Sequence, residues 1–150
     1  MASEITPYNH LTELAATGLL NWTGDPLKIA FVTSDYTFAA THTTYGDISA
    51  HIASGTTDVT IPTPTVSRTG SITTLGGTNI TTDALTATFR RGIIYQDASP
   101  VNPDDNIILA CILFDNTSGG QDITLTNMQF YINWHGDGII RLGLSADICS

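Results

Sequence analysis

A chain of 150 residues is the size of one single-core domain, long enough to bury roughly two-thirds of its unfolded surface without disulfides or metal. Its 14 acidic residues against 5 basic ones, a net charge of −9, argue against a sequence-independent grip on nucleic-acid phosphates. With 41% apolar and 13% charged residues the chain is not a charge-extended disordered one, and one domain is expected over 1–150.

Cys111 and Cys149 are too few for a disulfide scaffold and lack the paired spacing of a zinc ribbon. The opening Met-Ala-Ser-Glu-Ile-Thr-Pro has no basic residue followed by an apolar stretch, so no secretory signal is expected, and no window of eighteen apolar residues marks a membrane span. Twenty-five threonines beside a single lysine are the strongest compositional signal. Threonine is stiff at its first torsion and suits a pleated surface, whereas the Lys, Arg and Glu that coat helices are scarce. A mainly β protein with at most one or two helices follows.

Residues 1–9 read either as an arm toward a neighbouring subunit or as a frayed terminus. Over 10–20, Leu11, Leu14, Ala15, Gly18 and Leu19 form one apolar stripe of helical period, with Asn9 or His10 as N-cap, and this helix is expected to lie across a sheet. A first core strand starts at Lys28 and ends near Ser34 and Asp35. Tyr45 to Ala53 suits a short helix or an irregular crossing. From Val59 to Ile72 the strands should be peripheral, because Pro62 and Pro64 donate no ladder hydrogen bond.

Leu75 to Asn79 reads as a turn, and Leu85 to Tyr95 as one long strand with a bulge at Gly92. After a loop holding Pro100 and Pro103, Ile107 to Phe114 is nearly continuous in apolar residues, as for a strand covered on both sides. The turn Asn116 to Gly120 leads to Ile123–Thr126 and then Met128–Trp134. His135-Gly136-Asp137-Gly138 predicts a hairpin into Ile139–Leu144, leaving 145–150 as a tail. Seven or eight strands with short turns and no βα alternation point to an antiparallel β-sandwich, jelly-roll or immunoglobulin-like, with one short N-terminal helix.

Catalytic signals are weak. His42, several aspartates and Ser118 in Thr-Ser-Gly-Gly loosely resemble a chymotrypsin-like set, but the aspartate expected directly before the serine is missing, and a turn explains Ser118 more simply. His10, His42, His51 and His135 have no metal-ligand spacing. Asp104-Asp105-Asn106 and Asp115-Asn116 lack the spacing of a calcium loop. Two glutamates, neither expected in a strand-rich region, offer little for glycoside hydrolysis. No catalytic, cofactor-binding or metal-binding residue is therefore assigned, and an enzyme is not expected. Three sequons, at Asn21, Asn79 and Asn116, matter only in a secretory compartment. Strand alternation sends Arg90 and Arg91 to opposite faces. Trp22, Tyr36, Tyr45, Tyr95 and Trp134 serve either as core plugs or as stacking platforms for a sugar.

The order of segments carries more. The early amphipathic helix, then Leu27-Lys28-Ile29-Ala30-Phe31-Val32-Thr33-Ser34-Asp35-Tyr36, then Tyr45-Gly46-Asp47-Ile48, resembles small virion proteins of tailed bacteriophages. The stretches Leu85 to Asp97, Ile107 to Asp115 with Gln121 to Thr124, and Phe130 to Leu142 are similar to later strands of that group. Thr63 to Thr82 and the tail Ser145 to Ser150 depart from it. The resemblance implies a virion structural protein, foremost a capsid decoration or cement protein that sits on the outer surface of the head, made in the bacterial host cytoplasm. It also implies the major capsid protein as partner and a homo-oligomer, with a trimer favoured. A tail, fibre or baseplate component and a carbohydrate-binding host-adhesion module are the alternatives.

Overall fold

The computed structural model describes residues 3–99 and 101–143. In chain order their regular elements are β1 (Glu4–Pro7), α1 (Leu11–Thr17), β2 (Leu27–Val32), β3 (Val59–Thr60), β4 (Thr65–Thr69) and β5 (Ile72–Gly76). There follow β6 (Ile80–Thr81), β7 (Leu85–Phe89), β8 (Arg91–Gln96), β9 (Ile107–Leu113), β10 (Ile123–Met128), β11 (Tyr131–Ile132) and β12 (Ile140–Gly143). Every pairing between these strands is antiparallel, so the protein is mainly β with one α-helix, as the composition requires.

The largest sheet has the order β1-β9-β8-β2-β3. Side chains alternate across it, and both of its faces are covered. On one face Leu27, Ile29 and Phe31 of β2, Ile94 of β8 and Ile112 of β9 pack with residues of the shorter sheets β12-β5-β4, β10-β7 and β11-β6 and with Leu11, Leu14 and Trp22. This makes the fold sandwich-like. On the other face Ala30, Val32, Ile93, Tyr95, Ile108 and Cys111 meet Tyr8, Tyr36 and Ile48, brought by the N-terminal segment and by the long connection after β2. Burial on both faces is why β9 reads as an unbroken apolar run.

Several sequence expectations need correction. The helix ends at Thr17 because Gly18 takes the left-handed conformation at φ 77° and its N–H caps Leu14. Leu19, expected on the apolar stripe, is consequently exposed. Residues Glu4–Pro7 are neither arm nor frayed end. They pair with Leu113 to Ala110 as an edge strand, which also places Glu4 within a sheet, and Tyr8 beyond them is buried. The segment 45–53 is an irregular crossing with two short 3-10 turns, Tyr45–Asp47 and Ser49–His51.

Leu85 to Tyr95 is two strands. The break falls at Arg90, where the chain leaves the β10-β7 pair and enters the large sheet, with Arg90 N–H donating to the Val32 carbonyl. Gly92 is not a bulge: it stands in regular register between Phe31 and Ile112, and the register shift comes later, between Ile94 and Tyr95. The expected closing hairpin is also redirected. A local bridge joins His135 to Gly138, but β12 pairs with β5 and β11 with β6. The cause is the Ile139 N–H, which donates to Leu75 at 2.8 Å and starts the chain along β5. These divisions give twelve strands among the described residues where seven or eight were expected. β3 and β4 are edge strands, as their prolines and position suggested. Pro100, Leu144, Cys149 and the tail 145–150 lie outside the described residues.

Four phenylalanines join the layers. Phe31, Phe89, Phe114 and Phe130 form six ring pairs with centroids 4.8 to 6.3 Å apart. Gly92 makes room for them: a methyl there would sit 2.7 Å from Phe114 Cζ and 2.9 Å from Ile29 Cγ2. Gly92→Ala should therefore destabilise the fold by about 1–3 kcal/mol through overpacking. Gly136→Ala, with nothing within 4 Å of the added carbon, should stay within about 0.5 kcal/mol of the parent. Urea denaturation of the two variants measures the contrast.

Candidate functional site

A groove of about 600 Å³ opens where the edge of the large sheet faces the chain around β11, lined among others by Ser3, Ile5, Phe114, Tyr131, Trp134 and His135. Trp134 is half-buried and held at two points: its backbone N–H donates to Asn79 Oδ1 at 2.8 Å and its indole Nε1–H to the Thr78 carbonyl at 3.0 Å. Tyr131 beside it is exposed. The groove thus combines aromatic surface whose orientation is fixed with the polar groups of Ser3, Asn133 and His135.

Two hydrogen-bonded clusters lie against the opposite face of the large sheet. In the first, the Tyr8 and Tyr36 hydroxyls stand 2.8 Å apart, and the Tyr36 hydroxyl is 2.9 Å from His42 Nδ1. Arg91 Nη1 donates to the Tyr36 carbonyl, which fixes the backbone beneath the chain. Burial, with the Tyr36 hydrogen bond, raises the Tyr8 phenol far above its ordinary range, and burial likewise raises Tyr36. In the second, Asp58 Oδ2 accepts from Tyr95 at 2.6 Å and from Tyr45 at 3.3 Å. Burial, with the Asp58 charge second, pushes Tyr45 up to about 12, and burial with the Asp58 hydrogen bond raises Tyr95 further. Lys28 Nζ meets Asp97 Oδ2 at 2.7 Å, and Asp97 also accepts from Asn106, closing a shallow hollow of about 280 Å³.

These bonds account for most of the candidates read from the sequence. His42 is engaged by Tyr36, whereas Ser118 sits at φ 53° in the turn after β9 and makes no hydrogen bond to a histidine among the described residues. His10 Nε2 is 2.6 Å from the Ile108 carbonyl, and His135 is 3.3 Å from Asp137. His51 packs its ring against Tyr36. Among the described residues no group of three or more His, Cys, Asp or Glu side chains is placed to hold a metal.

The acidic pairs serve turns. Asp105 accepts from Asn102, Asn106 is buried and clamps Ser99 to Asp97, and Asp115 accepts from the Thr117 amide in an Asx turn; the Thr117 hydroxyl first, and then its amide, hold the Asp115 carboxyl below the ordinary range. Arg90 and Arg91 do diverge, to Asp122 and to the Tyr36 carbonyl. Trp22, Tyr36 and Tyr95 are core residues, and the Trp22 indole donates to Gly76. Of the sequon asparagines, Asn79 is committed to holding Trp134.

The sequence reading missed Tyr8, Asp58 and Gln96. Gln96 is 4% exposed and bridges two connections, accepting from Asn21 N–H and donating to Leu19. A glutamine ending an apolar strand was the available signal. Among known proteins the chain matches no family model, no curated protein and no solved structure. No described helix is long and apolar enough to cross a membrane.

The clusters make two predictions. Tyr36→Phe leaves the buried Tyr8 hydroxyl without a partner and should cost about 1–3 kcal/mol, while the double variant with Tyr8→Phe removes both partners and should recover part of that loss. Chemical denaturation of the three proteins measures it. The phenols are neutral in the fold, with values above the ordinary 10.0. Stability should therefore hold below pH 10 and fall above it, where the unfolded chain loses protons that the folded chain keeps. Denaturation midpoints followed from pH 8 to 11 test the sign, and a midpoint that rises above pH 10 would contradict it.

Proposed function

We propose that this protein is a structural component of a tailed-phage virion, a decoration or cement protein that binds the outer surface of the assembled head. The observation that carries the reading is the resemblance of Leu27 to Tyr36, Leu85 to Asp97 and Ile107 to Asp115 to strands of that group. Folded, these stretches contain β2, β8 and β9, which lie side by side in the large sheet. The resemblance therefore spans a contiguous structural unit.

The physical chemistry is compatible with the role. A protein that binds the joined lattice and not its separated subunits stabilises the lattice by mass action. Repetition over a symmetric shell lets modest contacts act together once copies are linked. A net charge of −9 keeps such a protein from being drawn to the packaged genome. The buried polar side chains of the described residues are hydrogen-bonded internally, so the exterior is what remains for binding.

The groove at Trp134 favours a second reading, a host-adhesion module in which Trp134 and Tyr131 stack on a saccharide. Mixing the purified protein with expanded, genome-free shells of the phage that encodes it separates the two. The cement reading expects co-sedimentation at fixed stoichiometry and a raised shell melting temperature. The adhesion reading expects bare shells and a glycan-array signal that Trp134→Ala removes while the circular dichroism spectrum stays unchanged. Bare shells alone would sink the cement reading.

A further inference from the structure

The number of hydrogens in the Tyr8–Tyr36–His42 chain depends on the charge of the histidine. The chain has two gaps, 2.8 Å between the hydroxyls and 2.9 Å between the Tyr36 hydroxyl and His42 Nδ1, and each gap holds one hydrogen. With a neutral imidazole that carries its hydrogen on Nε2, the hydroxyl hydrogens fill both gaps: Tyr8 donates to Tyr36, and Tyr36 to His42 Nδ1. An imidazolium carries a hydrogen on Nδ1 as well, so three hydrogens compete for two gaps. One hydroxyl hydrogen is then left without an acceptor, on a tyrosine that is only 2% (Tyr8) or 1% (Tyr36) exposed.

The surroundings give it no relief. Among the described residues neither hydroxyl bonds to a further group, and the Cys111 thiol of the same cluster, pushed up to about 12 by burial, stays neutral. Arg91 Nη1 donates to the Tyr36 carbonyl at 3.0 Å, so a charged His42 brings a second positive group to the same segment. Two more histidines lie alongside, His51 with its ring 5.7 Å from that of Tyr36 and His10 with its ring 6.4 Å from that of Tyr8. Asp47 is the opposing charge near His42, but its Oδ2 is committed to the Thr43 and Thr44 amides at 2.9 and 3.1 Å and accepts from neither phenol.

The segment that this chain fastens has few other attachments. Residues 34–42 contain no helix or strand. Their backbone makes one hydrogen bond to a distant part of the fold, from the Asn9 N–H to the Ala40 carbonyl at 2.9 Å, while Tyr36 and His42 donate locally to Thr33 and Ala39. Phe38 adds a ring contact to Tyr8, and the Arg91 bond and the hydroxyl chain, both at Tyr36, supply the rest. A segment held this way opens locally before the sheet beneath it does.

We propose that Tyr8, Tyr36 and His42 form an acid-sensitive latch: proton uptake at His42 breaks the hydroxyl chain and loosens residues 34–42 from the large sheet, which itself stays folded. The latch is independent of any role in a virion.

Hydrogen exchange of the full chain at pH 8 and pH 5, read amide by amide by NMR and corrected for the intrinsic effect of pH, tests it. The Asn9, Tyr36 and His42 amides should lose protection about tenfold or more at the lower pH, across the range in which histidine takes up a proton, while β8 and β9 keep theirs. His42→Asn retains an oxygen acceptor without a titrating group and should abolish this response, whereas His10→Gln and His51→Gln should retain it. Tyr36→Phe should leave the segment loose at both pH values. The unmodified chain decides the matter even if a variant misfolds: equal protection of the three amides at both pH values, or a loss shared equally by β8 and β9, would overturn the latch. An acid response that survives His42→Asn, or that disappears with His10→Gln or His51→Gln, would overturn it too.

Discussion

The six ring contacts among Phe31, Phe89, Phe114 and Phe130 are the constraint on which the architecture depends. Each ring comes from a different stretch: Phe31 from β2, Phe89 from the end of β7, Phe114 from just past β9, and Phe130 from between β10 and β11. Aromatic pairs contribute about 0.5–1.5 kcal/mol each beyond the area they bury. Their larger effect is topological. Phe89 is drawn into the cluster at the point where the chain changes sheets, and Gly92 leaves the space above the large sheet that Phe114 fills. The short sheets, two of them with only two strands, are too small to be stable alone and are held as one layer by this common core.

The parts of this fold that were legible in the sequence are those whose signal is local. The apolar run Ile107 to Phe114 announced a doubly covered strand because periodicity alone encodes it. The stripe from Leu11 announced the helix, and Gly18 ended it earlier than the stripe suggested because a left-handed residue stops a helix whatever follows. Long-range competition was not legible. Nothing in Arg90 marks a change of sheet, since the cause is distant: Val32 accepts its amide and Asp122 its guanidinium. The His135–Gly138 turn has the residues of a hairpin, but Leu75 takes the Ile139 amide, and the ladder goes to β5.

Legibility of the site followed the same division. Trp134 and Tyr36 stood out by residue type. The groove around Trp134 did not, because Ser3, Ile5 and Phe114 reach it from distant parts of the chain. The Tyr8–Tyr36–His42 and Tyr45–Asp58–Tyr95 clusters join residues on separate elements, and hydrogen bonding absorbs groups that in sequence looked available for chemistry. Among the described residues, what faces solvent includes an acidic, threonine-rich exterior, the aromatic groove at Trp134 and the exposed strand β4.

If the chain works, as proposed, by adhering to a repeating protein lattice, cryo-electron microscopy of tailed-phage heads incubated with the protein tests it most directly. The expected result is added density at symmetry-equivalent positions on the outer surface, into which the sandwich-like fold fits. Heads whose outer surface is identical with and without the protein would contradict it.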